Sequence, residues 1–225
     1  MLTLPQLQRF AHESGIRNLQ VVEKEILLTY LLQLLAEKGF LKEVAFKGGT
    51  CIRKTWFGAR GRFSTDLDFT CVTAGKRADD FVMQLAECMS EPFHDIQFDL
   101  GLGDDGWYET GDGVSWGCEP HYKHSRGEGT IKLQASNREV ATLMTDDRAQ
   151  LEVSYFKWLP FKPSAIPCLR IERNSCRENS RRLSARQTAR HLGSRSIRRS
   201  AHARSPDQKT RRDQALAGKR CFCAR

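Results

Sequence analysis

The sequence predicts an α/β (α+β) fold, a mixed sheet with flanking helices, followed by a basic tail of low order. Three observations carry this. A long helical pattern is followed by a buried strand, a Gly-Gly break, a short helix and a second strand. Further strand patterns recur toward residue 156. Beyond residue 172 the composition changes abruptly.

Leu4 to Gly15 reads as a short helix. Val22 to Lys38 reads as a longer one, because Ile26, Leu27, Tyr30, Leu31, Leu34 and Leu35 recur on one helical face. Gly39 stands where a C-terminal cap would. Phe40 to Phe46 is expected as a buried strand. Thr50 to Phe57 suits a short helix with Thr50 as its N-cap. Gly58 to Gly61 is a loop, Leu67 to Val72 a strand, and Arg77 to Met89 an amphipathic helix. Phe93 to Leu100 alternates as a strand, whereas Gly101 to Gly117 reads as turns. Thr130 to Ser136 and Gln150 to Phe156 are the remaining strand candidates, and Pro160 to Pro167 is a connection.

The formal charge of +9 hides two parts. Residues 173–225 hold 16 of the 36 Lys and Arg against three acids, while the first 172 hold 20 bases and 24 acids. The expected organisation is therefore a mildly acidic domain, 1–172, and a basic tail, 173–225. Such a tail, with large aliphatic residues nearly absent, buries too little apolar surface to offset its ordering entropy. No apolar run approaches the roughly 18 residues of a membrane span. The first residues carry no basic segment leading into an apolar stretch, so no secretory signal is read and a cytoplasmic protein is expected. Eight scattered cysteines form no C-x-x-C pair, which reads as buried or idle thiols rather than a metal site.

The chemistry lies between Lys47 and Thr70, KGGTCIRKTWFGARGRFSTDLDFT. Gly48 and Gly49 would let backbone approach a polyphosphate with no Cβ in the way. The helix after them would aim free N–H groups at that anion. Asp66 and Asp68, two apart on a strand, would project from one side with Leu67 in the core. Two adjacent carboxylates suit Mg2+, which favours carboxylate and phosphate oxygens. Alone, a Gly-Gly turn is usually only a turn and Asp-x-Asp usually a solvated loop. Their order within one short strand–turn–helix–strand stretch sharpens the reading.

These residues resemble the AbiEii/AbiGii toxin family, which includes MenT-like toxins, within the polymerase β-like nucleotidyltransferase superfamily. The resemblance covers roughly Val22 to Glu172. It implies a polymerase β-like core and a type IV toxin–antitoxin system. It implies Mg2+-dependent transfer of a nucleoside monophosphate from an NTP to an RNA acceptor, tRNA in characterised members. It also implies a cognate antitoxin encoded separately. On the matching positions, Gly48, Gly49 and Thr50 would form the triphosphate-binding turn, Ser64 a nucleotide contact, and Asp66 and Asp68 the metal-binding acids. A third acid is expected on a later strand, and Glu152, flanked by Leu151 and Val153, is the candidate; the competing reading is an exposed strand glutamate. Lys47 is either a phosphate neighbour or a solvated strand end.

The resemblance stops after Glu172. The family's downstream basic helix and its Arg-Asp-x-x-Asp-Leu motif are absent. For Gln187 to Gly193 (QTARHLG), GC-rich codons can be chosen so that reading one nucleotide later, with the serine codon that follows completing it, gives Arg-Pro-Arg-Asp-Ile-Trp-Asp-Leu. A C-terminus translated out of frame is therefore expected, and an accidental basic tail outweighs an evolved nucleic-acid arm. Three functions remain open: an active transferase, an impaired remnant that binds NTP, and a nucleic-acid-binding protein acting through its tail.

Overall fold

The computed structural model describes residues 2–58, 61, 63–73, 75, 77–100, 106–110, 113–137 and 145–170, all within one compact unit, Met1–Glu178. Arg62 and the basic tail lie outside the described residues. Among the described residues no helix is long and apolar enough to cross a membrane.

Helix α1 (Leu4–Ser14) carries Pro5 in its first turn, where its missing N–H costs nothing, and Gly15 closes it at φ 69°. Helix α2 (Leu19–Glu37) starts earlier than its apolar pattern, because the Asn18 side chain accepts a hydrogen bond from the Gln20 N–H at 2.9 Å. Its apolar pattern predicts one buried face. Instead nearly every residue from Glu25 to Leu35 is buried, including Thr29 and Gln33. The helix is enclosed on all sides, with α1, helix α4 (Ala78–Cys88) and the turn that follows α2 packed on it.

Two expectations about the next segment need correction. Phe40–Lys42 forms a 3-10 turn, and strand β1 is only Val44–Lys47. Gly39, at φ 79°, reverses the chain too close to Phe40 for a strand to begin there. Helix α3 begins at Gly48 rather than Thr50 (Gly48–Ile52) and continues as a π-helical turn, Arg53–Phe57. Thr50 therefore lies inside the helix and caps nothing. Its hydroxyl donates instead to the Asp66 carbonyl at 2.6 Å, tying α3 to strand β2 (Asp66–Cys71).

The main sheet has seven strands in the order β4-β5-β8-β2-β1-β10-β9. They are β4 (Trp107–Glu109), β5 (Ser115–Cys118), β8 (Lys132–Ser136), β9 (Thr145–Arg148) and β10 (Ile166–Leu169) around the central β1–β2 pair. Strands β1 and β10 are parallel, as are β2 and β8; the other pairs are antiparallel. A smaller sheet joins β3 (Gln97–Asp99), β6 (His121–His124) and β7 (Gly127–Thr130). The segment expected as turns, 101–117, thus contributes two strands. Gln150 to Phe156 is not a strand: Ser154–Trp158 is a 3-10 turn, and the alternating apolar residues Val153 and Tyr155 instead anchor a connection.

Alternation sorts the sheet into two faces. Leu67, Phe69 and Cys71 of β2 are fully buried, with Phe46, Leu133 and Cys168 directly opposite them or their neighbours across the ladders. Phe40, Phe69, Phe81 and Trp116 meet edge-on over this face, with ring centroids 5.1 to 6.3 Å apart. The other face carries Asp66, Asp68 and Thr70 of β2 and Lys132, Gln134 and Ser136 of β8.

Candidate active site

Asp66 and Asp68 lie two apart on β2, so their side chains share the polar face of the sheet, and both are half-buried. Lys47 of β1 stands directly opposite Asp68 and is buried, which removes the reading of a solvated strand end. Gly48 follows at φ 79°, a left-handed conformation that glycine adopts without cost. A Cβ there would overlap Oδ2 of Asp68 and lie 3.1 Å from its Cβ and Cγ. The turn and the acid are packed backbone against carboxylate.

A buried ion cluster holds this turn from behind. Glu25 of α2 accepts from Arg53 Nε at 3.3 Å and from Lys54 Nζ at 3.0 Å. Lys54 also donates to the Thr29 hydroxyl at 2.9 Å, which pairs with the Tyr155 hydroxyl at 2.7 Å. Burial pushes the Lys54 ammonium below its usual range against the pull of Glu25. Burial and Glu25 together hold the Tyr155 phenol well above its own. The Arg53 guanidinium donates to the Gly61 carbonyl at 2.7 Å and lies 3.5 Å over the Phe63 ring. Phe63 also packs against Phe10, so Gly61 and Phe63 are both tied down just ahead of half-buried Ser64.

The sequence-derived candidates therefore divide. Gly48, Gly49 and Thr50 belong to one helical turn, which abuts the strand of Asp66 and Asp68 through the Gly48–Asp68 contact and the Thr50 hydrogen bond. Ser64 precedes that strand by two residues. Glu152 is exposed and lies outside any strand, so the strand patterning that nominated it is absent. The strand running parallel beside β2 is β8, and it places Gln134, an amide, opposite Asp68. Glu25, Arg53 and Lys54 escaped sequence reasoning. Their one signal was charge inside otherwise apolar helical text, which in an enclosed helix demands partners.

Among the described residues no group of three or more acids, histidines or cysteines is arranged to hold a metal ion. Two carboxylates on one face still fit a magnesium-like ion, which commonly takes one or two carboxylates and completes its shell with substrate phosphates and water. The described cysteines Cys51, Cys71, Cys88, Cys118 and Cys168 are buried, and burial drives the Cys118 thiol up to about 12.

Comparison with known proteins agrees with this architecture. No curated protein matches the chain. MenT4, a nucleotidyltransferase toxin from Mycobacterium tuberculosis H37Rv, is similar in fold, with a TM-score of 0.59 and 23% identity over 76% of this chain and 56% of that one. JHP933 from Helicobacter pylori is more distant, at a TM-score of 0.39 and 17% identity over 68% of this chain and 53% of that one. The chain thus spans little more than half the length of either structure. The family model described as nucleotidyl transferase AbiEii toxin, type IV TA system, matches residues 30–174, which take in the Gly-Gly turn and both aspartates. On that match the chain belongs to the AbiEii toxin family of nucleotidyltransferases.

Proposed function

We propose that this chain is a nucleotidyltransferase toxin that moves a nucleoside monophosphate from an NTP to an RNA acceptor, with tRNA the acceptor expected. The contact between Gly48 and the Asp68 carboxylate carries the reading. A backbone stripped of Cβ atoms beside a paired carboxylate is what a metal-bound triphosphate requires. Asp66 and Asp68 would hold Mg2+, which would stabilise charge on the transferred phosphoryl group. Gly48, Gly49, Thr50 and Ser64 would seat the triphosphate, and the enclosed Glu25–Arg53–Lys54 cluster would keep that seat rigid. The acceptor hydroxyl attacks the α-phosphorus and gives up its proton to solvent, a new O–P bond forms, the bond from the α-phosphorus to the oxygen bridging to the β-phosphate breaks, and pyrophosphate leaves. A separately encoded antitoxin is the expected partner, and the cytoplasm the expected compartment.

One observation favours a second reading, an NTP-binding remnant with weak turnover. The strand beside β2 offers the Gln134 amide where a third carboxylate would complete the acidic set. The altered text after residue 172 points the same way. Losing one well-placed charged group commonly costs about 10² to 10³ in rate.

Incubating the chain with tRNA, Mg2+ and each labelled NTP, beside a version with the downstream frame restored, separates these. Labelling by the restored version with about 10² to 10³ slower labelling by the chain as written is the expected result. Equal rates would remove the role of the altered tail. RNA binding that survives loss of Asp66 and Asp68 but not of residues 173–225 would favour a basic nucleic-acid arm.

A further inference from the structure

Five strands of the main sheet align one residue each in a single row: Tyr108 opposite Gly117, Gly117 opposite Gln134, Gln134 opposite Asp68, and Asp68 opposite Lys47. Residues opposite one another in a ladder point to the same face, so the row lies entirely on the polar face. It runs from the buried Lys47, through half-buried Asp68 and Gln134, to Tyr108, which is 41% exposed.

The Tyr108 ring lies across Gly117. A Cβ on Gly117 would sit 2.6 Å from its Cζ, so only glycine leaves room for the ring. The Tyr108 hydroxyl accepts a hydrogen bond from Gln134 Nε2, which pins the ring in line with the row. Its tip thus reaches the strand beside Asp68, about 4.8 Å of strand spacing away. Lys132, exposed on the same face, stands opposite Asp66.

Tyrosine over a cross-strand glycine can serve packing alone, and the smaller sheet shows that use. Tyr122 lies over Gly129 in the same way, but it is only 5% exposed. Tyr108 differs in being 41% exposed, with its hydroxyl on Gln134, the cross-strand neighbour of Asp68.

We propose that Tyr108 is the stacking platform for a base at the end of the acceptor strand, with Lys132 meeting the acceptor's phosphate. The inference rests on the transferase reading above. In that reading the triphosphate occupies the Gly48–Gly49 side of Asp68, where β1 meets α3. An in-line displacement brings the attacking hydroxyl from the side opposite the leaving pyrophosphate. The row from Asp68 through Gln134 to Tyr108 extends away from the glycines, on that opposite side. The Tyr108 ring lies over Gly117, two strands from Asp68, so a base stacked on it sits roughly 10 Å from that acid, the scale of one nucleotide. Single-stranded RNA is held in this way in general, by unstacked bases on aromatic faces and phosphates on cations.

The test is equilibrium binding of the full chain to a short single-stranded RNA with a free 3′ hydroxyl and 2-aminopurine as its last base. Metal-dependent NTP binding is measured in parallel. Tyr108→Ala should weaken RNA binding about 5- to 100-fold, the loss expected for one base–aromatic stack, and abolish the 2-aminopurine quenching. Tyr108→Phe keeps the ring and should bind RNA nearly as wild type. Lys132→Ala should lower the salt slope by about one phosphate contact. None of the three should change NTP affinity. Unchanged RNA affinity in Tyr108→Ala, a loss in Tyr108→Phe equal to that in Tyr108→Ala, or no RNA binding by the wild type each overturns the platform. A loss of NTP affinity in Tyr108→Ala would overturn it too, reassigning the ring to the nucleotide donor. If the wild type binds no NTP with Mg2+, it is the transferase reading that fails.

Discussion

Gly48 and Asp68 touch through a space that no side chain could share: a Cβ on residue 48 would overlap the Asp68 carboxylate. Its φ of 79° adds a second constraint. Gly48→Ala would carry left-handed strain of about 1–2 kcal/mol and push the carboxylate away from its partner turn. The expected outcome is a modest drop in thermal stability with at least a tenfold loss of NTP affinity in Mg2+, an estimate from removing one charge-assisted contact. Calorimetry that finds NTP affinity intact in a folded Gly48→Ala protein would detach the glycine from the site.

Asp66 and Asp68 should bind a divalent ion weakly by themselves and more tightly with NTP, because phosphate oxygens complete the octahedral shell. Titrating wild type and Asp66→Ala with NTP, with and without Mg2+, reads this directly. Metal should strengthen binding in the wild type and have much less effect in the variant. Equal NTP affinity with and without Mg2+ in the wild type would contradict the assignment.

Glu25 neutralises two cations inside the protein, Arg53 and Lys54, all three being at most 5% exposed. Glu25→Gln leaves those cations buried without a counter-charge. The expected loss is about 3–5 kcal/mol in urea unfolding, the usual result of breaking a buried ion pair from one side. A loss below about 1 kcal/mol, the scale of an exposed pair, would mean that the cluster is hydrated rather than enclosed.

Tyr155 ties stability to alkaline pH. Its phenol is held well above the ordinary value of 10.0 by burial and by Glu25. Above pH 10 the unfolded chain has lost that proton while the folded one keeps it, so the contribution is complete below pH 10 and is lost as pH rises beyond it. Tyr30, raised to about 12 by burial, and Tyr122 act in the same sense. Tyr155→Phe should therefore show a shallower alkaline fall with some slope remaining. At neutral pH it should cost about 1 kcal/mol for the Thr29 hydrogen bond. Parallel alkaline slopes in both proteins would rule out a buried phenol.

Much of the architecture is legible in local sequence because local geometry generates it. The boundaries of α1, α4, β2 and β8 follow from periodicity and caps, and the shared side of Asp66 and Asp68 follows from strand pleating alone. Where the sequence misleads, a distant partner decides. The glycine-rich stretch before residue 117 becomes a hairpin because β5 finds an unfilled edge of β8. Glu152 loses its strand because Leu151 donates its N–H to the Lys54 carbonyl, at 2.7 Å, instead of to a sheet neighbour. Helix α2 shows an apolar face in its text, yet its polar residues Glu25 and Thr29 are also enclosed, since Arg53, Lys54 and Tyr155 arrive from later in the chain.

The strand–Gly-Gly–helix–strand order and the placing of two aspartates on one side of a strand are local properties of the chain, because they depend on backbone sterics over a few residues. That Gly48 lies against Asp68, that Gln134 stands beside that acid, and that Tyr108 ends the same row are consequences of long-range packing. The first two join residues 20 and 66 apart, and the Tyr108 hydroxyl meets Gln134 across 26. Strand order and register come from the burial of the whole apolar face at once, and no window of local sequence contains that quantity.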